Sequence, residues 1–153
     1  MSSIIGAYIE ITGTCDEKCP YCYNEKLVNS GGSLPYDTLT GLLRELKEQG
    51  ISSVTLSGGE PLLYGKIYEI MQYVEEIGIG LYVISNGKCF EDENISILTR
   101  FQPGLQITFD GYDEASHDAT RGKGNFEKIT DGIAKARKIG YCGQLTLRVN
   151  LHR

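Results

Sequence analysis

Four stretches of the chain alternate apolar and polar residues with a period of two, and a fifth, 81–85, reads as a strand closed by Asn86-Gly87. In the first, Ala7, Ile9 and Ile11 alternate with Tyr8, Glu10 and Thr12, the mark of a strand with unlike faces. The same reading holds for 53–57, 105–109 and 144–150. Between them, apolar residues recur at helical spacing. Leu39, Leu42, Leu43 and Leu46 form one such stripe, entered through Pro35 and Asp37 and stopped at Gly50. Ile67, Ile70, Met71, Val74 and Ile77 form a second, halted at Gly78. A shorter helix is predicted over 94–101, carrying Ile95 and Leu98. A longer one is predicted over 126–138, with Ile129, Ile133 and Ala136 inward.

Strands that alternate with helices call for an α/β fold, a parallel sheet with right-handed crossovers. Parallel strands buried on both faces usually read as unbroken apolar runs. These do not. Tyr8, Glu10 and Thr12, then Thr55 and Ser57, Gln106, Thr108 and Asp110, and Thr146, Arg148 and Asn150 give the sheet one polar face. A polar face is costly in a dry core, but it suits a sheet curled around a wet, ligand-holding hollow. The expectation is a partial (β/α) barrel of about five βα units with outer helices. Its ligands should lie beyond the carboxyl ends of the strands.

A length of 153 residues suits one domain, and 41% hydrophobic with 23% charged residues suits a globular one. A net charge of -5 argues against a non-specific nucleic-acid binder, which needs a basic face. The segment Met1 to Gly6 lacks the basic start and apolar core of a secretion signal. Nor does any run approach the roughly 20 apolar residues that span a bilayer. The expected location is the cytoplasm, with no membrane partner. In that reducing compartment an odd count of five cysteines points to metal or catalysis before disulfides.

Cys15, Cys19 and Cys22 lie in the loop after the first strand, where a triplet can fold around one centre. Three ligands are one short of a closed cage. Structural zinc takes four, whereas an iron–sulfur cluster or catalytic metal can leave one position open. The alternative is a zinc site completed by a distant histidine, yet His117 and His152 stand in no finger-like spacing. Glu17 and Lys18, between the thiols, read as solvated, and Cys89 and Cys142 as small, partly buried thiols. At other strand ends stand Gly58-Gly59-Glu60-Pro61, Ser85-Asn86-Gly87 and Thr108-Phe109-Asp110-Gly111. Paired glycines allow close backbone approach to a ligand or a sharp turn, Asn-Gly is turn chemistry, and Asp110 fits the cap of the next segment.

The triplet, with Tyr21 just before its last cysteine, resembles the signature of the radical S-adenosylmethionine enzymes. The Gly-Gly-Glu-Pro run, the Ser-Asn-Gly turn and the stretch His117 to Phe126 extend that resemblance from about Tyr8 to Asn150. The branch it is similar to matures peptides and sulfatases. The resemblance implies that Cys15, Cys19 and Cys22 hold three irons of a [4Fe–4S] cluster, whose fourth iron chelates S-adenosylmethionine. It also implies that Gly58, Gly59 and Glu60 meet the methionyl ammonium, and Ser85 or Asn86 other polar atoms of that cofactor. Thr108, where the family usually has Ser, and Arg121 would meet its carboxylate, and Tyr21 would lie near the adenine, largely through its backbone.

The implied activity is reductive cleavage of S-adenosylmethionine to a 5′-deoxyadenosyl radical. That radical abstracts hydrogen from a substrate, a peptide or protein side chain before a small molecule, with an electron donor such as a flavodoxin or ferredoxin. The enzyme would be oxidoreductase-like or peptide-modifying. Arg121 also reads as a surface partner of Asp118 or Glu114, and His117 as a structural residue bonded to nearby backbone. Gly122 and Gly124 would serve the turn into the last helix. By their face of the fifth strand, Arg148 and Asn150 are further cofactor or substrate contacts.

A full family core has six βα units, so residues 1–153 read as a core domain truncated before the sixth. Turnover by this portion alone is not expected. Its last strand would be an edge that invites pairing with a second copy. Two other classes stay open: a non-catalytic module holding zinc or an electron-transfer cluster, and a truncated scaffold.

Overall fold

In a computed structural model of the chain, residues 5–149 are described. Five strands follow the five stretches expected: β1 Gly6–Thr12, β2 Ser53–Gly58, β3 Gly80–Ser85, β4 Gly104–Thr108 and β5 Leu145–Arg148. The helices are α1 Glu25–Ser30, α2 Tyr36–Glu48, α3 Ile67–Glu76, α4 Asp92–Phe101, α5 Glu114–Arg121 and α6 Asn125–Lys138, with a short 3-10 turn at Pro61–Leu63. The fifth strand was expected to reach Asn150, which lies outside the described residues, as does His152.

All neighbouring strands pair in parallel, in the order β1-β2-β3-β4-β5. That order explains the alternation. When each strand is added on the same side through a right-handed crossover, every connecting helix falls on one face of the sheet. Ile9, Ile11, Val54, Leu56, Val83, Leu105 and Ile107 take that face and are buried. They form one core with Leu39 and Leu43 of α2, Ile70, Met71 and Val74 of α3, Ile95 and Leu98 of α4, and Ile129 and Ala136 of α6. Each fully buried aliphatic side chain is worth about 1.5–3 kcal/mol against leaving it in water. The other face carries no helix, and Tyr8 and Tyr82 on it are 51% and 42% exposed. The sheet is a curled half-barrel and does not close.

Two helices escaped the periodicity. α1 is a six-residue turn closed by Gly31 in the left-handed region at φ 63. α5 reads Glu-Ala-Ser-His-Asp-Ala-Thr-Arg and buries only His117, too little apolar surface for a stripe. Its start is set by a capping box instead. The Asp113 carboxylate accepts from the Ser116 N–H at 2.9 Å, and the Ser116 hydroxyl accepts from the Asp113 N–H at 3.3 Å. The cap expected of Asp110 therefore belongs to Asp113. Among the described residues, no helix is long and apolar enough to cross a membrane.

Candidate functional site

The chain leaving β1 and the chain leaving β2 touch backbone to backbone. Gly59 N–H donates to the Thr12 carbonyl at 2.6 Å, and Glu60 N–H to the Thr14 carbonyl at 2.7 Å. A Cβ on Gly58 would stand 2.2 Å from the Thr12 oxygen, and one on Gly59 2.3 Å from the Thr14 oxygen. The paired glycines thus serve the approach of two strand ends, which seats the cysteine loop above the sheet.

Glu60 is 0% exposed. Its carboxylate accepts from Leu62 N–H at 3.0 Å, the Ser85 hydroxyl at 3.0 Å and Asn86 N–H at 2.8 Å. Burial outweighs these donors and lifts its pKa to about 7. The side chain is turned into the protein and ties the segment after β2 to the end of β3. Ser85 borders the cavity while its hydroxyl serves Glu60 and accepts from Gly87 N–H at 2.9 Å.

Two acidic residues in the loop pin it on opposite sides. Asp16 accepts from Asn86 Nδ2 at 2.8 Å and from the Cys89 thiol at 3.4 Å, and its carbonyl accepts from Lys88 Nζ at 2.9 Å. These contacts fasten the loop to the end of β3. Asn86 Nδ2 also stands 3.9 Å from Cys15 Sγ. Glu17 points the other way and is buried, against the expectation of a solvated side chain. It accepts from Arg121 Nη1 at 2.9 Å and from Asn125 Nδ2. Lys18 is exposed as expected.

Arg121 is equally displaced from its expected surroundings. It pairs with neither Asp118 nor Glu114. Its Nε donates to Asp110 Oδ2 at 2.6 Å, its Nη1 reaches Cys19 Sγ at 3.2 Å, and its guanidinium lies 5.4 Å from the centre of the Tyr21 ring. Asp118 instead accepts from Phe126 N–H at 2.9 Å and from Gly124 N–H, which orders the entry to α6. Gly122 and Gly124, at φ 94 and 80, shape that entry as expected. His117 is structural: its Nδ1 accepts from Asp110 N–H at 3.1 Å, its ring packs on Phe109, and burial lowers its pKa.

A cavity of about 190 Å³ opens where these pieces meet. Cys15, Cys19 and Cys22 line it, with Tyr21, Gly58, Gly59, Ser85, Asn86, Thr108 and Arg121. Among the described residues, Glu60 is the one candidate site residue outside that lining. Tyr23, Ile84 and Arg148 line it as well; of these, sequence reading singled out Arg148 alone. Ile84 shares strand parity with Tyr82, which is the signal that would have found it. Tyr23 belongs to a hydroxyl chain: its OH lies 2.9 Å from that of Tyr8, which donates to Ser57 Oγ at 2.5 Å.

All three thiols are free and half-buried. Burial raises the pKa of Cys15 and lifts that of Cys19 to about 12, with Arg121 opposing the rise at Cys19. Burial also pushes up Cys89, which is buried, whereas Cys142 is exposed. Among the described residues, no three Cys, His, Asp or Glu side chains are placed to hold a single metal ion. The thiols stand around a cavity wall instead, a donor set of soft ligands suited to a larger iron–sulfur group.

The class of protein is set by an open parallel α/β sheet with a loop of three thiols at its strand ends. The chain belongs to the Radical SAM superfamily, whose family model matches residues 9–151. The cofactors of that enzyme family are a [4Fe–4S] cluster and S-adenosylmethionine. A probable GTP 3′,8-cyclase of Methanothermobacter thermautotrophicus is 26% identical over 138 residues, 90% of this chain and 45% of that protein. The PqqA peptide cyclase of Bradyrhizobium diazoefficiens is 31% identical over 154 residues, 97% of this chain and 40% of that one. The chain thus spans less than half the length of either curated relative.

Among solved structures, SuiB of Streptococcus suis bound to its precursor peptide SuiA superimposes with a TM-score of 0.79 at 21% identity. The match covers 98% of this chain and 33% of SuiB. SuiB bound to S-adenosylmethionine gives 0.78 at 21% identity, over 97% and 34%. At that identity the likeness is one of fold.

Proposed function

We propose that this chain forms the cluster- and cofactor-binding part of a radical S-adenosylmethionine enzyme that modifies a peptide. The observation that carries the reading is the convergence of Cys15, Cys19 and Cys22 with Gly59, Asn86 and Thr108 around one cavity at the strand ends. Cys15, Cys19 and Cys22 would hold a [4Fe–4S] cluster, with one iron left for S-adenosylmethionine. When bound, the cluster would supply one electron, and S-adenosylmethionine, cleaved to methionine, the 5′-deoxyadenosyl group that abstracts hydrogen.

The chain's own residues bind and orient. The backbone of Gly58 and Gly59 would border the methionyl ammonium, with Glu60, next along the chain, favouring that cation in its ionised form. Asn86 reaches both the cysteine loop and the cavity. Thr108 offers a hydroxyl and Arg121 its Nη2 to the cofactor's carboxylate, because Nε and Nη1 serve Asp110, Glu17 and Cys19. Tyr21, held under the guanidinium, walls the adenine side. Arg148 and the Tyr8–Tyr23 pair face the open hollow, where the substrate enters.

A peptide substrate is favoured by the named activity of the PqqA cyclase and by the fold shared with peptide-bound SuiB. A small diffusible electron donor, a cytoplasmic setting and pairing of two copies through β5 belong to the same proposal. The test is anaerobic reconstitution of the full-length protein with iron and sulfide, followed by dithionite and S-adenosylmethionine. Release of 5′-deoxyadenosine supports the reading; bound zinc without iron, or no deoxyadenosine from an iron-loaded protein, overturns it.

A further inference from the structure

The contacts of Cys19 differ from those of the other two thiols. Arg121 Nη1 stands 3.2 Å from Cys19 Sγ, and the Cys19 thiol donates to Glu17 Oε2 at 3.4 Å. The same Nη1 donates to Glu17 at 2.9 Å, so one sulfur, one carboxylate and one guanidinium meet at a point. The Arg121 and Glu17 side chains are 7% and 2% exposed, and Cys19 is half-buried beside them. The fork is fixed from behind, since its Nε is bound to Asp110 at 2.6 Å and Asn125 Nδ2 holds the far oxygen of Glu17.

Buried ion pairs seldom gain stability over well-packed apolar residues of similar volume. Here the pair is placed against a sulfur that the reading above makes an iron ligand. An N–H donated by a guanidinium favours negative charge on that sulfur, and a carboxylate within reach of the same sulfur opposes it. Reduction potentials of iron–sulfur groups are set by net charge and by hydrogen bonds to the sulfurs. Such charges act more strongly where side chains are withdrawn from water, as those of Glu17 and Arg121 are.

We infer that Arg121 and Glu17 are positioning residues that act through Cys19, holding its sulfur in place and setting, with opposite signs, how readily the bound cluster is reduced. This rests on the proposed function. It goes beyond the expected contact of Arg121 with the cofactor's carboxylate, because the effect is present without S-adenosylmethionine. Reduction adds one negative charge to the cluster, so Arg121 favours the reduced form and Glu17 the oxidised one.

The test is an anaerobic redox titration followed by electron paramagnetic resonance. It uses the full-length protein reconstituted with iron and sulfide, without S-adenosylmethionine, beside Arg121→Gln, Arg121→Lys and Glu17→Gln. Arg121→Gln is expected to make the cluster about tenfold harder to reduce, about 59 mV for one electron. Glu17→Gln should shift the potential the opposite way, and Arg121→Lys, which keeps the charge but not the fork, should fall between wild type and Arg121→Gln. Potentials unmoved at wild-type iron content, or moved in the same direction by both neutral variants, overturn the inference. If Arg121→Gln takes up no cluster, Glu17→Gln decides alone: an upward shift supports the inference and none overturns it. A wild-type protein that takes up no cluster overturns the proposed function and the inference with it, whereas a loaded protein without the shifts overturns the inference only.

Discussion

The Ser85 hydroxyl donates to the Glu60 carboxylate at 3.0 Å, and this contact helps join the end of β3 to the segment after β2. The two residues are 1% and 0% exposed, so the join is made out of water. Glu60 also takes the Leu62 and Asn86 amides, and three donors therefore depend on one acceptor. Glu60→Ala leaves them without it, at roughly 1–3 kcal/mol for each buried group that finds no other partner. Chemical denaturation of the variant should show the loss, and an unchanged midpoint would contradict it.

The same carboxyl makes stability depend on pH. Its pKa rises from 4.5 to about 7 on folding because burial penalises the charged form. Between those values the unfolded chain has released the proton and the folded one has not. The stability this group contributes is therefore fully present below about 4.5 and lost as pH rises towards about 7. A shift of that size corresponds to roughly 3 kcal/mol at most. Glu60→Gln cannot titrate, so the stability difference between wild type and variant should fall across that window and level off above it. A difference that is flat with pH contradicts the assignment.

Gly59 and Gly41 should respond oppositely to alanine. A methyl at Gly59 meets the Thr14 carbonyl at 2.3 Å, and backbone there cannot yield without moving the cysteine loop. Gly59→Ala is expected to cost about 1–3 kcal/mol and to lower iron uptake together with stability. Gly41, inside α2 with nothing within 4 Å of its added methyl, should gain about 0.5–1 kcal/mol as alanine. Thermal melts of both variants check the pair.

The fold was legible because its apolar residues obey the two simple periods, and the strand ends fell within one or two residues of Thr12, Gly58, Ser85 and Thr108. The one-sided polarity of the strands also foretold a face without helices. What escaped was pairing at long range. Glu17 and Arg121 are 104 positions apart, and nothing local to either marks the other as its partner. Reading Arg121 by sequence neighbours gave Asp118 and Glu114, whereas the turn at Gly122 and Gly124 sends Asp118 to the start of α6. The glycines after β2 were visible as a close approach, but not that the chain approached is Thr12 to Thr14.

The three thiols should be separable from the other two. Cys15→Ser, Cys19→Ser and Cys22→Ser are each expected to lower bound iron by at least the roughly tenfold that loss of an outer-shell partner costs a metal site. Cys142→Ser, at an exposed position, should load like wild type. Iron analysis and visible absorption after anaerobic reconstitution give the answer.

Thr108 supplies a hydroxyl at the cavity without evident need of it for folding. Thr108→Val keeps the shape and removes the donor, and should weaken S-adenosylmethionine binding by roughly tenfold, the equivalent of about 1.4 kcal/mol for one hydrogen bond to a charged group. Thr108→Ser should restore it. Equilibrium binding to the reconstituted protein measures both, with the melting temperature as control.

The central claim is that three thiolates leave one iron for S-adenosylmethionine. It is tested most directly by the electron paramagnetic resonance spectrum of the reduced, reconstituted full-length protein before and after that molecule is added. A cluster signal whose shape changes on addition, in saturable fashion, is the expected result. A loaded cluster whose signal is the same with and without S-adenosylmethionine would contradict the account.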